Sequence, residues 1–109
     1  MALEKKDIYD NLVQNLSNES KWFIFALSIE QNPLHKENLR DVANELFKKS
    51  NQQKNESLIT SRHGLDIHTA RLEGAGLVVV KEIGRVRMYS LSEMGQELLS
   101  YLQTKQTKQ

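Results

Sequence analysis

The chain has 109 residues, enough for one domain, and its 39% apolar and 27% charged residues are those of an ordinary globular protein. It holds no cysteine, which excludes disulfides, thiolate metal sites and thiol nucleophiles and suits a reducing, cytoplasmic setting. A net charge of +1 excludes bulk attraction to a polyanion, so any such affinity must come from local placement of cations and from dimerisation.

The first residues, MALEKKD, are charged and lead into no apolar h-region, so no signal peptide is expected. From Leu3 to Leu16, Ile8, Leu12, Val13 and Leu16 fall on one side of an amphipathic helix, able to clasp a partner or its own core. Ser17 is placed to cap a second helix, about Asn18 to Glu30, with Glu19 in its first turn. That helix is apolar nearly all round, from Trp22 to Ile29, and is expected to be buried. This longest apolar stretch falls well short of the roughly 20 residues that span a bilayer, so no membrane is expected as a partner.

Asn32-Pro33 ends the second helix. A third is predicted over about Glu37 to Lys49, with Leu39, Val42, Ala43, Leu46 and Phe47 inward. The polar run SNQQKNES then reads as a loop. A fourth helix is predicted from about Ser57 to Glu73, its core stripe being Leu58, Leu65, Thr69 and Leu72; Gly64 inside it weakens the case for continuity. Ala75-Gly76-Leu77 has the form of a C-terminal cap in which Gly76 turns left-handed and Leu77 folds back onto Leu72. Leu77 to Lys81 and Arg85 to Leu91 read as a hairpin joined through Glu82-Ile83-Gly84. Ser92 caps a last helix, Glu93 to about Gln103, with Leu98, Leu99 and Leu102 on one side.

The order is therefore four helices, a hairpin and a helix: mainly α with a small β-hairpin. Two motifs narrow this. Leu72 to Val78 gives a Leu-x-x-x-Gly-Leu-Val step, and Tyr89, Leu91, Ser92 and Gly95 give Tyr-x-Leu-Ser-x-x-Gly. From about Glu37 to Leu102 the sequence resembles the winged helix-turn-helix proteins of bacteria and archaea, especially the ArsR-like group. The segment GRVRMYSLSEMGQELL also resembles the TubR-like centromere-binding proteins of plasmid partition systems. The resemblance implies one winged-helix domain over residues 1–103, with N- and C-terminal dimerisation helices and a flexible tail over 104–109. It also implies a homodimer on double-stranded DNA. Helix 57–73 would read the major groove, and wing 81–87 would lie on phosphates or in the minor groove.

With Leu65 inward, the outer side of the fourth helix carries Thr60, His63, Ile67, Ala70, Arg71 and Gly74, with Arg62 on its flank. The candidate DNA contacts are Thr60, Arg62, His63, His68 and Arg71 on the helix and Lys81, Arg85 and Arg87 on the wing. The wing cations can equally serve as solvated edge residues. Ile67 and Ala70 can meet thymine methyls or a second protomer, and Asp66 beside them would repel phosphate, which favours packing for part of this face. Candidate dimer residues are Ile8, Leu12, Ile67, Ala70, Leu98 and Leu102, each able instead to pack within one protomer.

No metal, cofactor or enzymatic chemistry is expected. His63 and His68 are five apart, not the i, i+4 of a one-face ligand pair, and no phosphate loop, nucleophile elbow or paired-acid constellation occurs. Three functions remain open. The leading one is a transcriptional repressor on a palindromic or repeated site. Another is a partition adaptor that coats tandem repeats and recruits a filament-forming NTPase. The third is a protein–protein interaction module that binds no DNA, to which the near-neutral charge gives weight.

Overall fold

The computed structural model describes residues 4–30, 32–50 and 61–107. Its elements run α1 (Lys5–Asn15), α2 (Asn18–Ile29), β1 (Leu34–His35), α3 (Lys36–Ser50), α4 (Arg62–Gly74), β2 (Val78–Ile83), β3 (Val86–Leu91) and α5 (Glu93–Thr107). The loop expected after Ser50, and the first residues expected in the fourth helix, lie outside the described residues.

Helix α2 is the hub because its sequence offers apolar side chains in every direction. Phe23, Ile24 and Ala26 are fully buried, and the helix touches α3, α4, β3 and α5. Trp22, on its rim, meets Phe47 of α3 edge-on at 5.8 Å. Ser17 caps it as the sequence predicts, its Oγ accepting the Ser20 N–H at 3.1 Å. Leu39 and Ala43 of α3, Leu65 and Leu72 of α4, and Leu77 close the core around α2. Full burial of each leucine contributes roughly 1.5–3 kcal/mol of transfer free energy.

The three strands form one antiparallel sheet in the order β1-β3-β2. Tyr89 in the central strand pairs with Val80 on one side and Leu34 on the other. His35, just after Asn32-Pro33, belongs to β1, an element that the sequence reading did not include. A two-residue strand carries no periodicity, and only the pairing with β3 defines it.

Helix α4 begins later than the apolar spacing predicts. Ser61 is its N-cap, and its Oγ accepts the Gly64 N–H at 3.0 Å. Gly64 therefore sits in the first turn, where a glycine costs the helix little, and α4 is continuous. At the other end, the Leu77 N–H donates to the Leu72 carbonyl at 3.1 Å and the Gly76 N–H to the Glu73 carbonyl at 3.0 Å. With Gly76 at φ +74°, this is the predicted left-handed cap in its Schellman form.

The Tyr-x-Leu-Ser-x-x-Gly motif joins this cap to α5. Ser92 Oγ donates to the Gly76 carbonyl at 2.7 Å and accepts the Gly95 N–H at 3.0 Å, while the Ser92 N–H donates to the Leu77 carbonyl. Gly95 is buried hard against that same carbonyl: a Cβ there would lie 2.1 Å from the Leu77 oxygen. Helix α5 continues to Thr107, further than its apolar stripe predicts.

Leu98 and Leu102 of α5 are buried in the protomer's own core, as is Tyr9 of α1, with Leu12, Val13 and Leu16 packed against them. Two tyrosine–carboxylate hydrogen bonds fasten α1 to α5: Tyr9 donates to Glu97, and Tyr101 donates to Asp10. Leu98 and Leu102, expected at a dimer interface, are thus consumed within one chain, and Leu12 is half covered. Ile8 alone of the α1 candidates stays exposed, at 42%.

Candidate nucleic-acid interface

The outer side of α4 and the β2–β3 hairpin meet over a cleft lined by His35, Lys36, Glu37, Arg62, Arg85, Val86 and Arg87, with a volume of about 490 Å³. Three elements supply it: the β1–α3 junction, the first turn of α4 and the tip of the hairpin. Lys36 follows β1 directly, so the strand missing from the sequence reading is what brings this cation to the cleft.

The hairpin tip is fixed by its turn. Ile83 pairs with Val86, which leaves Gly84-Arg85 as a two-residue connection. Gly84 has φ +65° and Arg85 is not left-handed, the signature of a type II′ turn. Arg85 therefore stands at the apex rather than inside the strand. Strand alternation separates the other two wing cations. Lys81 shares the outer face with Val79, Ile83 and Val86, all exposed. Arg87 lies on the opposite face, where it donates to Glu73 of α4 and sits 5.8 Å over the Tyr89 ring. The Glu73 carboxylate raises the Arg87 pKa still further, so Arg87 stays charged in this tie between wing and helix.

On α4, Arg62, His63, Ala70 and Arg71 are exposed and Ile67 is half-buried. Thr60 lies outside the described residues. Arg62 is held between Glu37 at 3.4 Å and Asp66 at 3.5 Å, and Asp66 also accepts from Lys36 at 2.8 Å. The Lys36 ammonium holds the Asp66 carboxyl below the usual carboxylate range, so it stays ionised. Among the described residues Arg71, Lys81 and Arg85 form no ion pair.

His68 departs from the expected set. Its side chain is only 15% exposed. It points inward to the start of α2, with Nδ1 3.0 Å from Ser17 Oγ and Nε2 3.3 Å from Glu19, beside the edge of Phe23. A carboxylate only accepts, so Nε2 is the ring nitrogen placed to donate to Glu19, while Nδ1 faces the Ser17 hydroxyl. Burial pushes its pKa down, against the pull of Glu19. His68 thus braces α4 against α2 from the flank away from the wing. Helical periodicity placed it beside the outer face, but no signal in the sequence says that the α2 N-terminus covers that flank.

Lys36 and Glu37 of the cleft, and Glu73 as the partner of Arg87, are charged residues that the sequence reading did not single out. They gain meaning only from the packing of α3 and the wing against α4. Among the described residues no group of three histidines, aspartates or glutamates is arranged to hold a metal ion, and no helix is long and apolar enough to cross a membrane.

A helix–strand–helix–helix–hairpin order, with a cation-lined cleft between the last helix and the hairpin, defines a winged helix-turn-helix protein. The chain belongs to the family of the DNA-binding protein TubR: it is 38% identical to TubR of Bacillus cereus over 114 residues, covering 99% of this chain and 93% of that protein. That relative is a DNA-binding protein. The fold matches two solved TubR structures, each at TM-score 0.62, 17% identity and 96% of this chain. One is TubR bound to 24 bp of tubC from Bacillus thuringiensis serovar israelensis pBtoxis, covered over 98% of its length; the other is described as type III plasmid segregation TubR, covered over 90%. SSV1 F-93 matches at TM-score 0.50 and 14% identity, over 83% of this chain and 92% of its own. No protein-family model matches the chain. The ArsR-like resemblance is correspondingly loose, and the TubR-like one is the family.

Proposed function

We propose that this chain binds double-stranded DNA as a homodimer and serves plasmid segregation, coating tandem sites and presenting them to a filament-forming NTPase. The observation that carries this reading is the 38% identity with a DNA-binding TubR across nearly the whole chain, so that α4, the wing and the linking motifs all lie within it. In this reading the first turn of α4, with Arg62 and His63, enters the major groove, and Arg85 and Lys81 meet the backbone or minor groove beside it. Arg71 approaches phosphates from the last turn, while Arg87 holds the wing in place. A second protomer meets the part of α4 that carries Ile67 and Ala70, with Ile8 as a further contact. Ala70 is exposed and small, so two such helices can approach closely.

Transcriptional repression uses the same DNA contacts, and the arrangement of sites separates the two roles. Footprinting the protein across DNA flanking its gene should show protection of several evenly spaced repeats, filled cooperatively. Protection of one isolated palindrome would instead assign the repressor role.

A further inference from the structure

The cleft contains an arrangement that DNA affinity alone does not call for. Three of its cations are already matched by carboxylates: Lys36 by Asp66, Arg62 by Asp66 and Glu37, and Arg87 by Glu73. The Asp66 and Glu37 side chains are about half exposed, at 49% and 56%, on the surface that a phosphate chain would approach. Exposed pairs of this kind add little to folding stability. A surface selected only for holding DNA would leave these cations free.

We propose that Asp66 and Glu37 are specificity-determining residues that suppress binding to non-cognate DNA; this rests on the DNA-binding reading above. On an unmatched duplex the protein is held by phosphates alone. There the two carboxylates repel the backbone and keep Lys36 and Arg62 engaged, so few counterions are released. On a matched site Arg62 exchanges its carboxylate partners for a base edge, the guanidinium being suited to a bidentate bond with guanine. Asp66, one turn along the same helix, then accepts from a cytosine amino group or keeps Lys36. Discrimination is thus built from a repulsive element as well as an attractive one. Arg71 of α4 and Lys81 and Arg85 of the wing, which form no ion pair among the described residues, supply the remaining sequence-blind attraction.

The test uses the intact protein and two probes. One is an unselected pool of random duplexes of about 30 bp, some three helical turns. The other is the duplex that the wild type enriches most strongly from that pool. Asp66→Asn keeps the shape and removes the charge. It should bind the unselected pool about tenfold more tightly, with a salt slope steeper by about one, and change affinity for the enriched duplex far less. Glu37→Gln should act in the same direction. Glu45→Gln removes an equal charge from the exposed surface of α3 about two and a half turns from Lys36, and should shift both probes by one small factor. If Asp66→Asn and Glu37→Gln behave as Glu45→Gln does, or weaken both probes together, this inference is overturned while the DNA-binding reading stands. If the wild type binds no duplex at all, the reading falls and this inference with it.

Discussion

At position 95 a methyl group has no room. The Leu77 carbonyl oxygen would lie 2.1 Å from it, and that oxygen already accepts the Ser92 N–H, so it cannot retreat without breaking the joint between the α4 cap and α5. Gly95→Ala should therefore destabilise the fold by about 3 kcal/mol, read as a fall in denaturant midpoint with an unchanged m-value. A loss within experimental error would mean that the joint is not as tight as described. His68 gives a second prediction at this scale. Its pKa is depressed from the ordinary 6.5 by burial, so below that pH the unfolded chain takes up a proton that the folded chain refuses. Its contribution to stability is complete above pH 6.5 and is lost as pH falls through the folded-state value. Replacing His68 by Asn, which titrates nowhere in this range, should flatten that part of the stability–pH curve. An unchanged curve would show that the brace is not the titrating element. These residues also mark what the sequence reveals. The Ser17 cap and the left-handed Gly76 are visible because each acts within a few residues; Gly95 is visible only as part of a motif, since the carbonyl it packs against belongs to the distant Leu77. The inward turn of His68 depends on a helix 51 residues away and is not visible.

The wing separates into parts with different duties once its register is fixed. Arg85, at the apex of a II′ turn, has no ion pair among the described residues, whereas Arg87 ties the hairpin to the end of α4 through Glu73. Arg85→Ala should weaken binding to all duplexes alike and reduce the salt slope by about one, leaving thermal stability unchanged. Arg87→Ala should lower thermal stability modestly. Its effect on DNA should be reproduced by Glu73→Gln, because the two residues act as one tie. Divergent behaviour of these two variants would make Arg87 a direct contact. The hairpin itself is legible in the β-branched run and its central glycine. The separation of Lys81 and Arg87 onto opposite faces is not, because the sequence reading began the link two residues too early, at Glu82, and counted Arg85 as strand. Strand β1 escapes notice for a related reason: two residues have no pattern, yet they carry His35 and Lys36 to the cleft.

For the molecule as a whole, the apolar stripes of α1 and α5 are readable, but what they pack against is not. Leu98, Leu102 and Tyr9 fill the protomer's own core, so of the dimer residues expected from the sequence Ile8 and Ala70 are those left exposed for the proposed second copy. A near-neutral chain of this size can hold DNA only if its cations are gathered on one side and doubled by a partner. Whatever phosphates those cations neutralise, the affinity they supply falls as salt rises. The account therefore turns on fluorescence anisotropy of a labelled duplex titrated with the protein at 50 and 200 mM salt. Binding at the lower concentration that weakens by about tenfold or more at the higher is the predicted result. Absence of binding at both, or affinity indifferent to salt, would contradict it and leave a winged helix that meets only other proteins.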